Sequence, residues 1–129
     1  MSNIIVHYGY LPWNRGADPN LWSWLTNTPK GVSLYDISAG PQLVLLQKQV
    51  EFDLSDTLAS SQVKLEESGV RLLSKYWLSP WKYLGRYSSN LAGSEHDELD
   101  KDRIWNLLPD GVHTPCWKVQ EIGKRLGYH

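Results

Sequence analysis

Residues 42–77 read QLVLLQKQVEFDLSDTLASSQVKLEESGVRLLSKYW, and the period of their apolar side chains changes partway through. Over Gln42 to Leu54 the period is two: Val44, Leu46, Val50, Phe52 and Leu54 fall on one face, as a strand requires. Lys48 interrupts that face, so the stretch is expected either to bulge near Lys48 or to split into two shorter strands. From Asp56 onward Val63, Val70, Leu73 and Trp77 follow at steps of seven, three and four, the spacing of one helix face. Gly69 allows a break between two helices, and Ser79-Pro80 ends the element. The chain therefore passes from extended to helical structure near its middle.

Toward the N-terminus, Ile4, Val6, Tyr8 and Tyr10 alternate with Ile5, His7 and Gly9, which predicts a first strand apolar on both sides and ended by Pro12. Asp18-Pro19 supplies an N-cap and a first-turn proline for a short helix over Asn20 to Thr26, with Leu21, Trp24 and Leu25 inward. Val32 to Ser38 reads as a strand between the turns Pro29-Lys30-Gly31 and Ala39-Gly40-Pro41. Toward the C-terminus, Asp100 to Leu108 forms a helix with an acidic start and Ile104, Leu107 and Leu108 inward. The last helix is punctuated by Thr114 as N-cap, Pro115 at the first position, and Lys124, Arg125 and Gly127 at its end, with Val119, Ile122 and Leu126 inward. Strands first and helices second predict an α+β domain over 1–129: a small antiparallel sheet from the N-terminal half, with helices from the C-terminal half packed on one face.

Thirteen basic against fourteen acidic side chains exclude a surface that is basic throughout. Charge is instead segregated along the chain. No acid occurs from Ser68 to Ser94, where Arg71, Lys75, Lys82 and Arg86 lie, whereas Glu95, Asp97, Glu98, Asp100 and Asp102 follow closely. One cysteine, Cys116, cannot close an intramolecular disulfide, and neither a signal segment nor an apolar run near the ~20 residues of a membrane span is present. A cytoplasmic protein with no membrane contact is expected.

Three short stretches resemble known motifs. Trp117 to Tyr128 resembles the first helix and turn of a helix-turn-helix unit, which implies a supporting helix for nucleic-acid contact. Pro115-Cys116-Trp117-Lys118-Val119 resembles the nucleophile box of the alkylguanine-DNA alkyltransferases, which implies Cys116 as alkyl acceptor, with Trp117 standing where that family has a histidine. His7-Tyr8-Gly9 resembles the opening histidine of ADP-ribosyltransferase-like folds. His96, His113, Cys116 and His129 share the C-terminal third but lack paired metal-ligand spacing, so no metal is expected, and no cofactor fingerprint occurs. Asp36, Glu51 and Asp53, with Lys48 nearby, are the carboxylates that strand alternation could bring to one face. They and His7 are the acid-base candidates.

Seven Trp and seven Tyr against one Phe is a skewed choice, because Trp and Tyr each carry a polar atom that needs a partner. Residues 75–87 hold two Trp, three Tyr and three cations. Trp13, Trp22 and Trp81 are expected at half-wet surfaces, and Trp24, Trp77 and Trp105 inside. This pattern, with no catalytic constellation, reads as a small binding protein of phage or bacterial inhibitor, immunity or adaptor type. It would occlude a partner protein through Trp13, Trp81, Lys82, Tyr83, Arg86 and Tyr87. A nucleic-acid-binding protein using the 71–87 segment is the first alternative. A small hydrolase or transferase using Asp36, Glu51, Asp53 or His7 is the second.

Overall fold

The computed structural model describes residues 3–38, 43–83 and 93–129, without the side chains of Tyr83 and of 98–101. The architecture is α+β. Strand β1 (Ile4–His7) pairs antiparallel with β3 (Gly31–Asp36), which pairs antiparallel with β4 (Val44–Gln49), giving a sheet ordered β1-β3-β4. A second, two-stranded parallel sheet joins β2 (Arg15–Gly16) to β5 (Glu95–His96). Helices α1 (Pro19–Leu25), α2 (Leu58–Leu78), α3 (Glu98–Trp105) and α4 (Cys116–Arg125) complete the described chain, with 3-10 turns at Pro80–Tyr83 and Gly111–His113.

The expected long strand is shorter than its apolar pattern. β4 ends at Gln49, and the chain then turns: the Asp56 amide donates to the Asp53 carbonyl at 3.0 Å and the Asp53 amide to Asp56 Oδ2 at 2.8 Å. The register irregularity lies between Leu34 and Tyr35 of β3, not at Lys48. Lys48 simply faces solvent near the end of its strand.

α2 runs unbroken through Gly69. A side chain there would place its Cβ 3.1 Å from Val6 Cγ1 and 3.2 Å from Tyr8 Cε1, so this glycine lets the helix lie close on the sheet. The helix starts in a capping box, in which Thr57 Oγ1 accepts from the Ser60 amide at 3.1 Å and Ser60 Oγ from the Thr57 amide at 2.8 Å. Its inward face is Leu58, Ser61, Leu65, Ser68, Leu72 and Tyr76. Val63, Val70 and Trp77 point to solvent, opposite to the expectation for Trp77.

Two apolar clusters fill the interior. Leu65, Leu72 and Tyr76 of α2 pack on Val32, Leu34 and Leu45 of the sheet. Leu21, Trp22, Trp24 and Leu25 of α1 pack with Leu58, Ile104, Leu108, Cys116, Val119 and Ile122. Phe52 touches both clusters. Trp22, expected at the surface, is only 2% exposed: the His96 ring stacks on it at 3.9 Å and the Tyr128 ring meets it edge-on at 5.4 Å. α4 meets α1 through Gly123, where a Cβ would run into the Leu25 carbonyl oxygen. The helix-turn-helix-like segment is therefore a core helix, with Val119, Ile122 and Gly123 buried.

Candidate active site

The loop from Tyr8 to Asp18 leaves β1 and is pinned to the sheet at several points. Ser33 Oγ accepts from the Leu11 amide at 3.1 Å and donates to the Gly9 carbonyl at 2.9 Å, while Gln47 Nε2 donates to the Leu11 carbonyl at 3.1 Å. Asn14 and Asp18 both adopt positive φ, 55° and 49°, a conformation that Asn and Asp tolerate better than most residues. Asp18 thus precedes α1 with left-handed backbone and makes no side-chain cap bond.

Asn14 is the hub of this loop and is fully buried. Its Nδ2 donates to Thr28 Oγ1 at 2.8 Å. Oδ1 accepts from Ser94 Oγ at 3.1 Å and from His96 Nε2 at 3.2 Å. Its amide donates to Ser94 Oγ at 2.9 Å, and its carbonyl oxygen lies 3.1 Å from His7 Nε2. One side chain and its backbone therefore join β1, the loop before α1 and the segment around β5. A carboxamide suits this hub because it presents donor and acceptor together.

His7 ends β1. Burial lowers its pKa below 6.5, only partly offset by the hydrogen bond to Asn14, so the imidazole is neutral at neutral pH. The Asn14 carbonyl can only accept, so Nε2 carries the proton and Nδ1 keeps its lone pair. Nε2 also lies 2.8 Å from where a Cβ on Gly9 would stand, as does Pro19 Cβ. The imidazole is thereby fixed beside the start of α1.

Pro19 belongs to the wall of a cleft of about 460 Å³ between the end of β1, the start of α1 and the start of α2. Leu21, Leu58, Val112 and Trp105 give it apolar walls. Tyr8, Asp18, Asn20 and Gln62 bring polar groups to it. A mostly apolar concavity with a few convergent polar groups is the usual form of a small-molecule site. Asn20 is held by its own bonds, donating to Ser61 Oγ at 2.9 Å and accepting from Trp24 Nε1 at 3.1 Å.

The residues expected to bind a partner lie elsewhere. Trp13 is half-buried in the loop, Trp81 and Lys82 are exposed on the 3-10 turn after α2, and Tyr83 closes that turn. Trp13, Trp81 and Lys82 do not line the cleft. Arg86 and Tyr87 lie outside the described residues. Asp36 caps its own turn: Ser38 Oγ at 2.6 Å and the Ser38 amide at 3.0 Å hold its carboxyl below the usual range. Glu51 is exposed, and Asp53 lies 3.6 Å from Lys64. The strand carboxylates thus form no acid-base pair with His7. Cys116 is buried, and burial pushes its thiol up to about 11, which opposes the alkyl-acceptor role. Among the described residues no group of three or more His, Cys, Asp or Glu could hold a metal ion, and no helix is long and apolar enough to cross a membrane.

Asn14 and Gln62 were not singled out by the sequence, Tyr8 appeared there only as a strand residue beside His7, and His96 only in a histidine set without metal-ligand spacing. The one signal that could have drawn attention was Leu11-Pro12-Trp13-Asn14-Arg15-Gly16-Ala17-Asp18-Pro19, a long run of backbone-shaping residues directly after a strand that ends in histidine.

No protein-family model matches the chain. Among solved structures, the formyltransferase PseJ from Anoxybacillus kamchatkensis, in complex with UDP-4,6-dideoxy-4-formamido-L-AltNAc and tetrahydrofolate, is similar at 37% identity and a TM-score of 0.81. That match covers 90% of this chain and 63% of that one. A sugar N-formyltransferase from Shewanella matches at 21% identity and a TM-score of 0.71, over 93% of this chain and 50% of that one. A 4-N formyltransferase from Francisella tularensis matches at 18% and 0.70, over 91% and 50%. The latter two establish likeness of fold alone. The chain spans between half and two thirds of the length of these structures.

These likenesses correct the reading of an inhibitor, immunity or adaptor protein. The similar structures are transferases, and the PseJ complex holds a nucleotide sugar and a folate, neither a protein partner nor a nucleic acid. Aromatic abundance misled here because much of it is interior: Trp22, Trp24 and Tyr76 are buried, and Trp105 and Tyr128 pack partly against the core.

Proposed function

We propose that this chain serves N-formyl transfer, moving a formyl group from a formyl-tetrahydrofolate to the amino group of a nucleotide-linked sugar. The observation that carries this reading is the 37% identity to PseJ over 90% of the chain, at a TM-score of 0.81.

The site supplies a chemical rationale. In such a reaction the amine nitrogen attacks the formyl carbon, the bond from that carbon to the folate nitrogen breaks, the amine loses a proton and the folate nitrogen gains one. Proton removal needs a base that is unprotonated at neutral pH. His7 meets that need, with Nε2 committed to the Asn14 carbonyl and Nδ1 able to accept. The cleft lined by its neighbour Tyr8 and by Pro19 would take the amino sugar. Leu21, Leu58, Val112 and Trp105 would pack on ring faces, while Asp18, Asn20 and Gln62 would bind hydroxyl and amino groups.

The test is incubation with formyl-tetrahydrofolate and a UDP-linked 4-amino sugar, with the sugar followed by mass spectrometry. A product heavier by one formyl group, formed by the native chain and lost in His7→Ala, is expected. Absence of that product, together with calorimetric silence toward tetrahydrofolate and the UDP-sugar, would overturn the proposal.

A further inference from the structure

α2 carries two apolar stripes, of which the fold uses one. Leu58, Leu65 and Leu72 recur every seven residues and face the interior. Val63, Val70 and Trp77 also recur every seven residues, on the other side, and are 52%, 66% and 77% exposed. Leu73 and Leu78 flank this outer stripe and are exposed as well. A surface helix normally turns such positions over to polar residues. Val70, Leu73 and Trp77, at steps of three and four, have instead the spacing of a seam along which one helix packs on another.

We propose that the outer face of α2 binds the same face of a second copy, as a two-fold antiparallel helix pair centred on Val70. In that arrangement Val70 meets Val70 of the second copy, and Val63 meets Trp77 at each end. Small against large at the ends keeps the helices evenly spaced. Charge along the seam fits the same register: Glu67 and Arg71, both exposed, lie on one side of the stripe. About the two-fold axis Arg71 of the second copy comes level with Gly69, only two residues, about 3 Å, along the axis from Glu67. Each Glu67 therefore faces an Arg71 across the seam, twice per dimer, because an antiparallel two-fold keeps both residues on the same edge of the stripe. The contact is self-complementary, as a two-fold interface must be. It is self-association, separate from the cleft and from any capture of another protein.

Sedimentation of the full chain tests it. The native chain is expected to sediment as a dimer, and Val70→Glu with Trp77→Glu as a monomer with an unchanged circular dichroism spectrum. Charge reversal checks the register. Glu67→Arg alone and Arg71→Glu alone are each expected to weaken the dimer at least tenfold, and equimolar mixing of the two, or their combination in one chain, to restore it. A native chain that stays monomeric up to its solubility limit would overturn the proposal. So would a dimer that survives the Val70/Trp77 double substitution, or charge reversals that fail to compensate.

Discussion

The carbonyl oxygen of Asn14 lies 3.1 Å from Nε2 of His7, and this one contact fixes the tautomer of the only histidine on the main sheet. Asn14 itself is oriented by Thr28, Ser94 and His96, so residues far apart in sequence determine which nitrogen of His7 can act as a base.

If His7 is that base, His7→Gln should lower kcat by roughly 10²- to 10⁴-fold with little change in KM. Its pKa lies below 6.5, so the acid limb of kcat/KM should fall below pH 6.5 and leave the neutral range flat. Stability should follow the same sign. Between the lowered folded value and 6.5 the unfolded chain binds the proton more readily, so acidification through that window reduces stability. A pH-rate profile beside thermal melts at each pH checks both.

The two stripes of α2 should respond differently to truncation. Leu65 is 1% exposed within the sheet-facing cluster, and Leu65→Ala should cost about 2–5 kcal/mol. Val63→Ala, on the outer stripe, should change the stability of the isolated monomer by no more than about 0.5 kcal/mol. Urea unfolding of both variants in dilute solution makes the comparison.

Gly123→Ala should destabilise even though alanine is the better helix former by about 1 kcal/mol. The added Cβ meets the Leu25 carbonyl oxygen, which is backbone and cannot swing aside. The expected outcome is a lower melting temperature and a weakened contact between α1 and α4. Gly127→Ala tests a different effect: its φ of 86° strains any side chain, although nothing lies within 4 Å.

Cys116 should be inert in the folded state. With the thiol buried and its pKa pushed up to about 11, a disulfide reagent at pH 8 should label it only as fast as the protein opens. Rapid stoichiometric labelling of the native chain would contradict this. Adding denaturant should release the full signal.

The fold class was legible because the apolar period changes once, between Leu54 and Asp56, and the structure turns there. The face of α2 was not. Leu58, Leu65 and Leu72 have the same seven-residue spacing as Val63, Val70 and Trp77, and period alone does not choose between two apolar stripes. Trp22 was misplaced for a related reason: its neighbours His96 and Tyr128 arrive from the far end of the chain. His7 was legible only as one of four acid-base candidates, with nothing in the sequence to rank it above Asp36, Glu51 and Asp53. Its chemistry depends on Asn14, whose positive φ and buried bonds are tertiary facts.

Ligand binding at the cleft is read from an amide-resonance map of the labelled chain titrated with a UDP-linked 4-formamido sugar and, separately, with tetrahydrofolate. The sugar is expected to shift resonances of the cleft residues Tyr8, Asp18, Leu21, Gln62 and Trp105, and that of the adjoining His7. Shifts confined to the outer face of α2 or to the 3-10 turn at Pro80–Tyr83, or no shifts with either ligand, would contradict it.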